Sequence, residues 1–96
     1  MSVYLIANLK IEDRDRYSAY ESGFLEIFGR YEGKLLAVDE NQQVLEGEWP
    51  YTRTVVIEFP SEEAARAWYD SDDYQKLADH RRAASSGSLA LLRGIG

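Results

Sequence analysis

The stretch RTVVIEFPSEEAARAWYDSDDYQ, residues 53–75, joins the clearest strand pattern in this sequence to its clearest helix start. Thr54–Phe59 is rich in β-branched and aromatic residues, which pack well on a pleated surface, and we predict a central strand there. Ser61 can cap a helix whose first turn carries acidic residues, where the helix dipole favours them, so a helix is predicted to begin near Glu62. Ser71 repeats the same start signal. The stretch therefore predicts one strand followed by two short helices in tandem.

Upstream of this stretch, the pattern predicts a strand, a helix and a further strand. Val3–Leu9 is a nearly continuous apolar run of strand length, as expected for a strand covered on both faces. Asp13 can cap the following helix, and Gly33 is placed to end it. Lys34–Val38 has the composition of a strand, and a polar turn separates it from a short extended piece at Val44–Glu46.

The end of the chain supplies the remaining elements. The second tandem helix is predicted to end near Ala83, Ala84–Ser88 reads as a loop of small residues, and Leu89–Leu92 reads as a last short strand. The order β-α-β-β-α-β predicts an α+β class, with a ferredoxin-like sandwich in a single domain over residues 1–96. Apolar residues occur at successive strand positions, so a second sheet should cover the face that carries no helices. A homodimer is therefore predicted.

A family resemblance rests on two segments of the sequence. The segment EFPSEEAARAWYDSDDYQKLADHRRAAS, residues 58–85, resembles the signature segment of the family called domain of unknown function 1330, and Glu46–Trp49 is similar to its second landmark. The likeness extends over essentially the whole chain. The resemblance implies a ferredoxin-like α+β fold that assembles as a dimeric α/β barrel, and it implies no particular activity.

The charge balance argues against several classes of partner. Seventeen acidic against eleven basic residues give the 96-residue chain a net charge of −6, which disfavours contact with nucleic acid and with anionic membrane surfaces. No apolar run approaches the roughly 20 residues of a membrane helix, and the N-terminus lacks a signal-peptide pattern, so we predict a cytoplasmic protein. Without cysteine, the chain can form no disulfide, thiolate nucleophile or zinc–thiolate site.

Motifs for phosphate binding, zinc hydrolases, serine hydrolases and kinases do not occur, and we predict neither a cofactor nor a metal. His80 is the single histidine, which excludes a multi-histidine site within one chain. It can act as a general base, or as a haem ligand, as in some dimeric α/β-barrel proteins. We favour the interpretation that it is a solvated residue of the charged run Asp79–Arg82.

Arg81 is the stronger candidate for a functional residue. It follows Tyr74 by seven positions, so it lies on the helical stripe that faces the core, where a charge needs a partner. One interpretation is an ion pair with Glu58, which interrupts an otherwise apolar strand. The other is a cation at the bottom of a pocket, ready for a carboxylate or an enolate. The sequence alone favours the ion pair, since buried arginines are commonly paired.

Two classes of function remain open. By analogy with dimeric α/β-barrel monooxygenases and isomerases, the first is a small-molecule binder or enzyme with a pocket between sheet and helices. The second is a non-catalytic dimeric module whose polar residues are structural. In that case the aromatic stripe of the first predicted helix belongs to the core, and Trp49 packs over the subunit edge. A cavity of a few hundred Å³ would favour the first class and a filled core the second. The candidate pocket residues are Tyr20, Trp49, Glu58, His80 and Arg81.

Overall fold

The fold is an α+β sandwich of the ferredoxin-like kind, seen in a computed structural model that describes all 96 residues. Its elements are β1 (Val3–Ile11), α1 (Arg14–Phe28), β2 (Lys34–Asp39), β3 (Arg53–Phe59), α2 (Glu62–Tyr69), α3 (Asp72–Ala84) and β4 (Ser85–Arg93). The four strands form one antiparallel sheet in the order β2-β3-β1-β4. This confirms the predicted order of elements, with the second helix divided into α2 and α3. None of the helices has the length and apolar character needed to cross a membrane.

The three predicted helix starts are confirmed by their caps. The side chains of Asp13, Ser61 and Ser71 each accept a hydrogen bond from the backbone N–H three residues later, at 3.0 to 3.2 Å. Such a cap satisfies one of the free N–H groups at the helix start and typically contributes about 1 kcal/mol. The break between α2 and α3 therefore follows from a local signal at Ser71.

The prediction that Gly33 ends α1 is wrong. The helix ends at Phe28, and Gly29 occupies its C-cap. Gly33 instead lies where two rings leave no room, because a Cβ there would sit 2.5 Å from the ring of Phe28 and 2.7 Å from the ring of Phe59. The glycine is needed for close packing between the end of α1 and β3.

Val44–Glu46 lies in the connection between β2 and β3 and belongs to no strand. One further segment prediction is wrong. The predicted loop at Ala84–Ser88 is absent, because the chain passes from α3 directly into β4, where Ser85–Ser88 pairs with the end of β1. Small residues favour loops when no neighbouring strand is available for pairing, but here β1 lies alongside and pairs with this segment. Gly87 is required at this place, since a Cβ would clash with the carbonyl oxygen of Asn8.

The core lies between the helices and one face of the sheet. Trp68 is at its centre, with ring centroids 4.1 Å from Tyr74 and 5.6 Å from both Phe28 and Phe59. The residues of β1 that point to this side are all buried, namely Val3, Leu5, Ala7 and Leu9. Trp68 is the largest of the fully buried side chains, and an indole in this position removes a large apolar surface from water.

The other face of the sheet carries no helix. Burial along β1 alternates within the single chain, so the cover predicted for its second face would have to come from a second chain. Along each strand, every second side chain points to this open face. Leu92 is 48% exposed there, and the paired residues Ile6 and Val56 are half-buried. These three apolar residues remain accessible because one chain has only enough helices for one side of its sheet.

Candidate functional site

A cavity of about 230 Å³ lies between α1 and the sheet. Every helix and every strand contributes to its wall, and fourteen of its seventeen lining residues are hydrophobic. The other three are Glu21, Arg53 and Arg81. Leu25 and Val38 are exposed by 68% and 46% and mark its mouth, whereas Trp68 is buried and marks its inner end.

Two tyrosines on different helices join their hydroxyl groups at the wall of this cavity. The Tyr20 and Tyr74 oxygens are 2.8 Å apart, and their rings meet edge to face with centroids 6.2 Å apart. Burial raises the pKa of Tyr20, and the neighbouring Tyr74 raises it further, so Tyr20 is neutral at physiological pH. One hydroxyl proton is used in the bond between the two oxygens, and the other remains available to a third group.

Arg81 lies in the last turn of α3 and is 8% exposed. Its guanidinium carbon is 6.0 Å from the centroid of the Tyr20 ring, within the range of a cation–π contact. Burial lowers the pKa of Arg81, but the adjacent tyrosines, Tyr74 first, outweigh that effect and raise it, so the side chain is a cation. It forms no ion pair with a carboxylate, and its Nε has no hydrogen-bond partner.

The predicted ion pair between Arg81 and Glu58 is therefore wrong. Glu58 lies between Ile57 and Phe59, which face the core, so strand alternation turns its side chain to the open face of the sheet. There the carboxylate accepts a hydrogen bond from the Tyr4 hydroxyl at 3.3 Å and raises the pKa of that tyrosine. The sheet separates the acid from the cation.

Arg53 is a cavity residue that sequence reasoning missed. Its guanidinium carbon lies 5.4 Å from the Tyr17 ring centroid, and its terminal nitrogens pair with Glu21 at 3.3 Å and with Glu40 at 2.6 Å. Strand alternation was the available signal, since Arg53 stands two residues before Val55 on the core-facing side of β3. In contrast to Arg81, this cation has two carboxylate partners.

A charged cluster at the cavity mouth ties three segments together. Arg14 on α1 donates to both carboxylate oxygens of Glu40, at 3.1 and 3.3 Å, and Arg53 on β3 donates to one of them. The hydrogen bonds from Arg14 and then Arg53 hold the pKa of Glu40 below its ordinary value. Glu40 directly follows β2, so the cluster connects β2, β3 and α1 beside the mouth.

The other predicted pocket residues do not line the cavity. His80 lies on the outer side of α3, where its Nδ1 accepts a hydrogen bond from Arg16 Nε at 2.9 Å. Trp49 is 40% exposed in the connection between β2 and β3, with its ring edge-on to Tyr51. Glu58 is on the opposite face of the sheet. Of the five candidates, the structure brings together only Tyr20 and Arg81 at the cavity.

Three buried side-chain atoms lack a hydrogen-bond partner, and all three belong to residues that line the cavity. They are the Nε atoms of Arg53 and Arg81 and the indole Nε1 of Trp68. Each is an N–H donor and none is an acceptor. No group of three or more histidine, cysteine or acidic side chains is arranged to hold a metal ion. The cavity can thus hold an apolar body and offer it the free hydroxyl proton of the tyrosine pair and the positive charge of Arg81.

Comparison with protein families gives one match over nearly the full chain. The family model described as "Domain of unknown function (DUF1330)" matches residues 2–95. Among curated proteins, no match to this sequence was found.

Similar folds occur in solved structures of low sequence identity. A protein of unknown function from Rhodopseudomonas palustris has a TM-score of 0.83 at 18% identity, over 99% of this chain and 83% of the other. SnoaB, a cofactor-independent oxygenase from Streptomyces nogalater, has a TM-score of 0.72 at 11% identity, over 99% and 94%. A dimeric ferredoxin-like protein of unknown function from Thermobifida fusca has a TM-score of 0.72 at 17% identity, over 98% and 92%. At these identities the likeness establishes the fold alone.

Proposed function

The chain belongs to the DUF1330 family, whose function is unknown, and we propose that this protein binds a small, mainly apolar organic molecule in the cavity between α1 and the sheet. The cavity itself is the observation that carries the proposal. Protein interiors are close-packed, so an open pocket of about 230 Å³ that reaches the buried Trp68 is a departure from that packing. A concave, mainly apolar pocket with a few convergent polar groups is the usual form of a small-molecule site.

The volume limits the size of the ligand. A dry cavity of about 150 Å³ in a protein core accepts benzene. The 230 Å³ found here therefore suits one aromatic ring with one or two small substituents. A polycyclic compound would require α1 or the mouth to move. Because so small a ligand makes few contacts, we expect dissociation constants in the range of roughly 1 μM to 1 mM.

An enzyme of the oxygenase type is the second candidate. A cation beside tyrosine hydroxyls, as with Arg81, Tyr20 and Tyr74, can stabilise negative charge that develops on a phenolate or enolate. SnoaB shares the fold and is a cofactor-independent oxygenase, which makes oxygen-dependent turnover of a phenolic substrate worth testing. Oxygen uptake with small phenols would support this candidate, and binding without turnover would favour a binder.

We further propose that the active form is a homodimer joined through the open faces of its two sheets, as a dimeric α/β barrel. The apolar residues left accessible on that face, among them Ile6, Val56 and Leu92, support the proposal because a second sheet would bury them. The fold of a protein described as dimeric, from Thermobifida fusca, is also similar. The acidic balance supports a protein without a nucleic-acid partner, and a cytoplasmic location stays a prediction.

The cavity can be tested by filling it. Ala7 lies on the cavity wall in the middle of β1, and Ala7→Leu adds three carbon atoms there. Ligand-detected NMR with toluene should report binding to the wild type and little or none to Ala7→Leu. Ala19→Leu is the matched control, because it adds the same atoms on the exposed side of α1. Equal binding by all three proteins would place the ligand elsewhere and refute the proposal.

A further inference from the structure

We infer that the ligand of this cavity is a monoanion, an aromatic carboxylate with a single ring, whose charged group pairs with Arg81. This inference rests on the proposed binding function and adds the chemical class of the ligand. Four features of the cavity support it: a cation without a carboxylate partner, the hydrogen-bond donors around it, the number of free charges, and the volume.

The cation is the first feature. A buried charge is normally paired, because its transfer out of water is costly. Ion pairs with carboxylates are formed in this structure by Arg14, Arg30, Arg53, Arg66 and Arg82. Arg81 is at least nine-tenths buried and has none, although the chain contains seventeen acidic residues. The neighbouring side chains Tyr20 and Tyr74 offer it a ring and hydroxyl groups but no carboxylate.

The donors are the second feature. All three buried atoms that lack a partner are N–H groups of cavity-lining residues, on Arg53, Trp68 and Arg81. The hydroxyl pair of Tyr20 and Tyr74 has one further proton to donate. A ligand with an acceptor oxygen can take this proton and would place its negative charge beside the Arg81 cation. A carboxylate is acceptor-only and can take two N–H bonds from one guanidinium.

The third feature sets the charge of the ligand to minus one. Of the two arginines at the cavity, Arg53 is already matched by Glu21 and Glu40, and only Arg81 is free of carboxylates. A doubly charged phosphate would bring more negative charge than the site can balance, into a wall that is mostly apolar. The volume is the fourth feature, because 230 Å³ leaves room for one ring beyond the carboxylate.

The helix end holds Arg81 in place for this role. Ser85, the first residue of β4, donates a hydrogen bond from its hydroxyl to the Arg81 carbonyl oxygen at 2.7 Å. The Tyr20 ring lies against the guanidinium from the side of α1. The hydrogen bond holds the backbone at Arg81 and the ring borders one side of the guanidinium, which limits the freedom that the side chain loses when an anion binds.

The test compares two ligands of nearly equal size, benzoate and benzyl alcohol, by calorimetry at neutral pH, where benzoate is ionised. Wild type should bind benzoate at least tenfold more tightly than benzyl alcohol. Arg81→Met removes the cation but keeps an unbranched side chain, and it should lose that preference while its affinity for benzyl alcohol changes less than threefold. Arg82→Met is the control: it removes a neighbouring arginine of α3 that is paired with Asp79 outside the cavity, and it should keep the preference.

The outcomes separate this inference from the proposed function. If benzyl alcohol binds and benzoate binds no better, or if Arg81→Met keeps the preference, the anion inference is overturned and the binding function stands. If neither ligand binds to the wild type, both are overturned. Should Arg81→Met fail to fold, a wild type that binds benzoate no more tightly than benzyl alcohol would still overturn the anion inference, because that comparison needs no variant.

Discussion

Replacing Arg81 with methionine should change the free energy of unfolding by less than about 1 kcal/mol. Breaking a buried ion pair usually costs about 3–5 kcal/mol, because the partner is left as an uncompensated charge. Arg81 has no carboxylate partner, so no such charge would remain. Loss of the contact with the Tyr20 ring costs about 0.5–2 kcal/mol. Removal of the unpartnered Nε–H returns about 1–3 kcal/mol. The two effects nearly cancel.

The assay is urea unfolding of wild type and Arg81→Met, followed by fluorescence at one protein concentration, since the stability of a dimer depends on concentration. Arg82→Met serves as a control for loss of positive charge from α3. A destabilisation of about 3 kcal/mol or more by Arg81→Met alone would show that a carboxylate pairs with Arg81 after all. That result would refute the argument that the cation is free for a ligand.

Four further predictions concern assembly, packing and charge. Light scattering should give twice the chain mass of 11.0 kDa, and Ile6→Lys on the open face should give a monomer; a monomeric wild type would contradict the proposed assembly. Gly33→Ala should lower the free energy of unfolding by about 1–3 kcal/mol in a urea titration, because its Cβ would overlap the rings of Phe28 and Phe59, and a neutral effect would mean that these rings can move. The folded-state pKa of Glu40 is lowered, so its contribution to stability is present above its unfolded-state pKa and is lost as the pH falls through the folded value. The unfolding curves of wild type and Glu40→Gln should accordingly differ at about pH 7 and converge near about pH 3, and a constant difference would contradict the ion-pair origin. Finally, the protein should show no salt-sensitive binding to DNA or RNA in fluorescence anisotropy, and such binding would refute the argument from net charge.

The helix starts were predictable from the sequence because their signals are local. A capping side chain acts on a backbone N–H three residues away, so Ser61 and Ser71 carry the necessary information within one turn. The role of Gly33 could not be predicted in this way, because it does not depend on a local signal. Its constraint comes from Phe59, which is distant in sequence, and no local pattern reports that contact.

The site was predictable only in part because it depends on which face of the sheet each strand residue occupies. The helical spacing placed Arg81 on the buried side of α3, and the structure agrees. The partner chosen for it, Glu58, lies on the open face, and strand alternation relative to Phe59 could have excluded it. The same alternation could have placed Arg53 at the cavity. The existence of the cavity was beyond sequence reasoning, because it depends on how far α1 stands from the sheet after every side chain has packed.

The most direct test of the central claim is a crystal structure of the protein soaked with 4-bromobenzoate, recorded at the bromine absorption edge. The anomalous signal locates the ligand without any assumption about its position. We predict a bromine peak between α1 and the sheet, with the carboxylate directed to Arg81 and the tyrosine pair of Tyr20 and Tyr74. Bromine peaks confined to the outer surface, with side chains filling the space beneath α1, would contradict it.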